Sequence, residues 1–207
     1  DRSGSMAGLE SDTIGGFNSM LAQQKKEAGE ALVSTVLFAN DSTVIHDRLP
    51  LSEVPPLTEK EYFTCGCTAL LDAIGYGMEK MVNIQRHLPE DERAEKVIFV
   101  ITTDGLENAS KRFSYEKIRR MIEREKEQYG WEFLFLGANM DAVKEAARFG
   151  ISSDRAVRFE NDAQGVAVNY HVVSETVSRM REAPCCASIG AEWKEQIEAD
   201  FQKRHHR

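Results

Sequence analysis

Apolar residues recur at two different periods along this chain, and the switching between them lays out most of its elements. Ile14, Phe17 and Leu21 fall at helical spacing behind Ser11 and Asp12, whose short oxygen-bearing side chains suit a helix N-cap. They predict a first helix of about fifteen residues, ending near Gly29. Residues 31–38, Ala-Leu-Val-Ser-Thr-Val-Leu-Phe, read as a buried strand. Asn40-Asp41-Ser42 reads as a turn, and residues 43–46 as the start of a second strand antiparallel to the first. A polar, proline-bearing loop over 50–61 leads to a helix opened by Thr68. Leu70, Ile74, Met78 and Met81 line one face of that helix, which is expected to end before Pro89. Residues 97–103 are nearly all apolar, which suits a parallel strand covered on both faces.

Beyond Asp104, a loop over 105–110 runs to a helix marked by Tyr115, Ile118 and Ile122. Residues 131–137 form the next apolar run, 141–149 a short helix, and 156–159 a short edge strand. Residues 161–180 carry a last long helix with Val166, Tyr170, Val173 and Val177 turned inward. This alternation predicts an α/β fold, a doubly wound and mostly parallel sheet with helices on both faces and one antiparallel edge strand. Ligands of such sheets bind outside the C-terminal ends of the strands. Residues 1–183 read as one domain, and 184–207 as a linker and amphipathic helix with Ile189, Trp193, Ile197 and Phe201 four residues apart. Docking on its own domain is the expectation for that helix, with self-association through 189–201 as the alternative. Glu192, Glu195, Glu198 and Asp200 on its polar face argue against a membrane surface.

Length and charge narrow the function classes. A chain of 207 residues can bury one sizeable core. Lys and Arg number 26 against 34 Asp and Glu, and the net charge of −8 disfavours sequence-independent nucleic-acid binding. No apolar run approaches a membrane span, and no signal-peptide pattern is visible. Cys65-Gly66-Cys67 and Cys185-Cys186 lack the C-x₂-C spacing of zinc sites. They read as free thiols, which favours a reducing, cytoplasmic location. No histidine is placed to suggest a Ser-His-Asp set, and no Gly-x-x-x-x-Gly-Lys-Ser/Thr loop is present for an ATPase.

The candidate chemistry lies in five short polar side chains from three places. Asp1, Ser3 and Ser5 alternate, so an extended stretch entering a turn points their oxygens one way. Thr68 stands at a helix start, and Asp104 closes the apolar run 97–103 just before Gly105. Two carboxylates with three hydroxyls make an all-oxygen set, suited to a hard divalent cation such as Mg²⁺ or Mn²⁺ rather than zinc.

Asp1-x-Ser3-x-Ser5, the distant Thr68 and Thr103-Asp104-Gly105, each at a strand or helix boundary, resemble the von Willebrand factor A domain. The cluster is similar to its metal-ion-dependent adhesion site, and the resemblance covers residues 1–180. It implies direct contacts to Mg²⁺ or Mn²⁺, with Ca²⁺ as a further choice, from the Ser3, Ser5 and Thr68 hydroxyls. Asp1 and Asp104 are implied to act through water or hydrogen bonds. Neutral ligands leave the ion's charge uncompensated, so it attracts a Glu or Asp carboxylate of a partner protein. Thr68 at a helix N-terminus is expected to add to that anion preference. Binding rather than turnover is therefore the expectation, and the protein is not expected to be an enzyme. The alternatives are a non-catalytic subunit working with a separate ATPase in a chelatase or chaperone-like complex, and a metal-dependent phosphoryl-transfer enzyme. Family members carry glycines just before this threonine, so Cys67 is a departure that puts a thiol beside the site. In the family the D-x-S-x-S motif also follows an apolar central strand, so the expectation is that this strand lies upstream of Asp1.

Overall fold

The structure is a computed structural model that describes residues 1–183 and 189–205. Cys185, Cys186 and most of the expected linker lie outside the described residues. Six α-helices and five strands are present among those described. β1 (Leu32–Phe38) and β2 (Ser42–Pro50) form an antiparallel hairpin. β3 (Ile98–Thr103), β4 (Glu132–Ala138) and β5 (Ala156–Phe159) form a parallel sheet in the order β3-β4-β5. The helices are α1 (Glu10–Gln24), α2 (Leu70–His87), α3 (Tyr115–Tyr129), α4 (Ala142–Arg148), α5 (Ala163–Glu182) and α6 (Glu195–His205).

The parallel sheet is sandwiched, as its side-chain alternation requires. Phe133 and Phe135 of β4 pack with Ile74, Met78, Ile118, Ile122 and Ala146 from α2, α3 and α4. Leu134, Leu136 and Ala138 point the other way, into Val166, Val172 and Val173 of α5 and Ile197 of α6. Full cover on both faces therefore belongs to β4. It does not extend to β3, where Val100 remains 37% exposed. Among the described residues β3 pairs along one edge only, so its flank away from β4 is less enclosed.

β1 also departs from expectation. Its N-terminal half is not fully buried: Leu32 is 51% exposed, Val33 is only partly covered, and Leu37 and Phe38 alone are buried. Among the described residues the hairpin has no further strand partner, and irregularities beside Thr35 interrupt its register. The five strands thus form two sheets. The junction between them is made by the first two residues: the Arg2 amide donates to Phe38 O at 2.8 Å, and the Asp1 nitrogen lies 3.3 Å from Thr102 O.

Helix ends follow local chemistry, with some surprises. Ser114, Asp141 and Asp162 cap α3, α4 and α5 through their side chains, and α3 stops at the left-handed Gly130. α1 begins behind Leu9 rather than at Ser11, and stops at Gln24 rather than near Gly29. α2 begins at Leu70, two residues past Thr68. The C-terminal apolar stripe turns into the chain's own core, where Trp193 and Ile197 are buried. Trp193 Nε1 donates to Asp154 O at 2.7 Å, and Arg204 pairs with Asp162 and Asp200. Among the described residues, no helix is long and apolar enough to cross a membrane.

Because Ile197 closes the core on the α5 face, Ile197→Ala should lower unfolding free energy by about 2–5 kcal/mol in urea titrations. A loss below about 1 kcal/mol would mean that α6 is not docked on the sheet.

Candidate metal centre

Ser3 is extended, with φ −65° and ψ 167°, and the chain then tightens into a 3₁₀ turn over Gly4–Met6. The Gly4 amide donates to Gly66 O at 3.1 Å and the Met6 amide to Ser3 O at 3.0 Å, which brings Ser3 Oγ and Ser5 Oγ to 3.0 Å. Asp1 commits both carboxylate oxygens to holding this shape. Oδ1 accepts from the Ser3 amide at 2.7 Å, and Oδ2 from the Thr103 hydroxyl at 2.6 Å. Tyr62 donates to Asp1 O at 2.8 Å. Burial pushes the Tyr62 phenol up from its ordinary value, so it stays a protonated donor at neutral pH.

Asp104 closes the group from the end of β3. Its Oδ1 accepts from Ser5 Oγ at 2.7 Å and its Oδ2 from Asn161 Nδ2 at 3.1 Å. The other Asn161 side-chain atom, Oδ1, is buried without a hydrogen-bond partner among the described residues. Ser3, Thr68 and Asp104 are each under 4% exposed, whereas Ser5 is exposed, so the cluster opens to solvent on the Ser5 side. Gly105 keeps it open: a Cβ there would stand 3.1 Å from Thr68 Oγ1 and 3.5 Å from Ser5 Oγ. All five expected side chains are thus brought to one edge, at the C-terminal ends of strands.

Thr68 is positioned by residues far away in sequence. Its amide donates to Asn108 Oδ1 at 2.8 Å, and its carbonyl accepts from the Asn108 amide at 3.0 Å. The next free amides of α2 are also taken by the loop after β3: Leu71 donates to Glu107 Oε2 and Asp72 to Ser110 Oγ. In return Asp72 accepts the amides of Lys111, Arg112 and Phe113. The Leu71 and Asp72 amides at the α2 N-terminus are therefore taken up inside the protein. Part of the helix end expected to face an outside anion is thus engaged by the loop after β3.

Glu107, Asn108, Asp72, Tyr62 and Asn161 are the supports that sequence reading missed. Short polar residues after Gly105 look like an ordinary loop, and nothing local marks Asn108 as the partner of a residue forty positions earlier. A scan against protein-family models and a search of curated proteins both return no match to this chain. Among the described residues, no group of three or more His, Cys, Asp or Glu side chains is arranged to hold a metal. The edge cluster instead joins two carboxylates to three hydroxyls.

Asn108→Ala should strand the buried Thr68 amide and cost about 1–3 kcal/mol by chemical denaturation, whereas Asn108→Asp, which keeps the acceptor, should cost less. Equal losses in both would place the effect elsewhere. Asp72 supplies a pH signature. Burial pushes its carboxyl up, but the amides of Lys111, Phe113 and Arg112 outweigh this and hold it below the ordinary range. A depressed carboxyl adds stability that is present above its unfolded pKa of about 3.9 and lost as pH falls through the folded value. Thermal melts of wild type and Asp72→Asn should therefore differ most at neutral pH and converge below about pH 4. A difference that persists unchanged into acid would contradict the charge-based account.

Proposed function

We propose that the chain is a divalent-cation-dependent protein-interaction module of the von Willebrand factor A type, binding an acidic side chain of a partner protein. What supports this most is the meeting of Ser3, Ser5, Thr68 and Asp104 at one partly open edge. Four side chains from three distant segments have no need to converge for helix capping or turns alone. The donor set fits a hard cation such as Mg²⁺ or Mn²⁺, being all oxygen. Ser3, Ser5 and Thr68 would hold the ion. Asp1 fits an orienting role, since both its carboxylate oxygens are engaged by Ser3 and Thr103. Asp104, hydrogen-bonded to Ser5, would orient that hydroxyl. A bound cation would supply uncompensated positive charge at the Ser5 opening, where a partner's carboxylate can reach.

We place the hairpin and the parallel sheet as two parts of one doubly wound sheet, with residues 1–2 at their junction as the end of its central strand. The paired contacts of Arg2 with Phe38 and of Asp1 with Thr102 support that placement. Action by binding, without turnover, and a cytoplasmic setting complete the proposal.

Calorimetric titration of metal-stripped protein with Mg²⁺ and Mn²⁺ tests the reading. Binding is expected in the wild type and should vanish in the Ser3→Ala, Ser5→Ala double variant and in Thr68→Ala, with the fold retained by circular dichroism. Unchanged binding in the double variant would sink the assignment of this site. Unfolding of Thr68→Ala would recast the cluster as structural.

A further inference from the structure

The loop that leads into Thr68 carries chemistry that cation binding does not use. Cys65 and Cys67 are both exposed and both free. Gly66 between them adopts the left-handed conformation, φ +65°. Residues two apart in an extended chain stand about 7 Å apart at their α-carbons. That is at the limit of the roughly 4.4–6.8 Å that a disulfide spans. A left-handed residue bends the chain and brings its neighbours closer. Glycine, without a Cβ, can adjust further at little cost. A side chain at this position would run into Asn40, 2.7–2.9 Å away, so the bend is built for glycine.

The same three residues hold the site together. The Gly66 carbonyl accepts the Gly4 amide at 3.1 Å, which sets the turn between Ser3 and Ser5. The Cys65 amide donates to Arg2 O at 2.8 Å, and the Cys67 amide to Asn40 Oδ1 at 2.7 Å. Thr68 follows directly. Any change in the backbone of 65–67 is therefore passed to both hydroxyl-bearing segments of the cluster.

We propose that Cys65 and Cys67 form a peroxide-responsive dithiol, whose closure to a disulfide across Gly66 pulls the loop from Gly4 and loosens the hydroxyl cluster. In the reaction one sulfur attacks the peroxide O–O bond, giving a sulfenic acid and water. The second sulfur displaces the sulfenic oxygen as water and forms the S–S bond. The cysteine pair loses two electrons and two protons, and hydrogen peroxide is reduced to two waters. An exposed disulfide in so small a ring is open to thiol attack, so a thiol reductant reverses it. The consequence for cation binding rests on the function proposed above, whereas the loop movement does not.

The test uses the full chain carrying Cys185→Ser and Cys186→Ser, treated with one equivalent of hydrogen peroxide. Mass spectrometry should show a loss of about 2 Da confined to a peptide holding both Cys65 and Cys67, reversed by dithiothreitol. Amide exchange at Gly4 and Cys65 should accelerate about tenfold in the oxidised form. A further Cys67→Ser change should abolish both effects. Mn²⁺ affinity, where the reduced protein binds Mn²⁺, should fall about tenfold on oxidation. Failure of the reduced protein to bind Mn²⁺ counts against the proposed function alone, because exchange still reports the loop. The dithiol proposal is overturned by disulfides only between molecules, by sulfinic acid in place of a disulfide, or by a 65–67 disulfide that leaves Gly4 exchange unchanged.

Discussion

The architecture turns on a carboxylate at the seam between two sheets. Asp1 fastens the turn through Ser3 on one side and the end of β3 through Thr103 on the other, while Arg2 reaches the end of β1. β1 and β3 share no ladder, so these contacts set where the hairpin's C-terminal end stands relative to the parallel sheet. The hydroxyl cluster exists only if that placement holds, because its members come from both sides of the seam. Tyr62, buried and hydrogen-bonded to the Asp1 carbonyl, keeps solvent away from the same junction.

A second constraint ties the other half of the cluster. The loop after β3 and the first turn of α2 satisfy each other's backbone groups, Glu107, Asn108 and Ser110 in one direction and Asp72 in the other. Buried amides left without acceptors are costly, so this exchange fixes the loop and the helix as one unit. Thr68 and Asp104 are carried on that unit, which explains how hydroxyl and carboxylate are held near Gly105 without a direct bond between them. The first turn of α2 thus anchors the loop through its Leu71 and Asp72 amides.

Packing behind the edge makes these positions rigid. β4 is enclosed by α2, α3 and α4 on one face and by α5 and α6 on the other, and its central side chains are fully buried. The edge by contrast is polar and partly open. A close-packed core with a polar rim is the usual division between support and contact in sheets of this kind.

Much of this was legible in the chain itself. The 3.6-residue periodicity located α2, α3 and α5, the apolar runs located β3 and β4, and the alternation of Asp1, Ser3 and Ser5 matches the turn that brings Ser3 and Ser5 side by side. Such signals are local, since period and capping are properties of neighbouring residues. What the tertiary structure decided depends on partners distant in sequence. Burial of β1 was overestimated because an apolar run does not reveal how many strands will flank it. The C-terminal stripe of Trp193 and Ile197 did not disclose its partner until β5 and α5 were in place. Glu107, Asn108 and Asp72 act across roughly forty residues, where no periodicity connects donor to acceptor. Composition and pattern determined which elements form. Only folding decided which buried amides the polar side chains would satisfy, because that is settled by proximity in space.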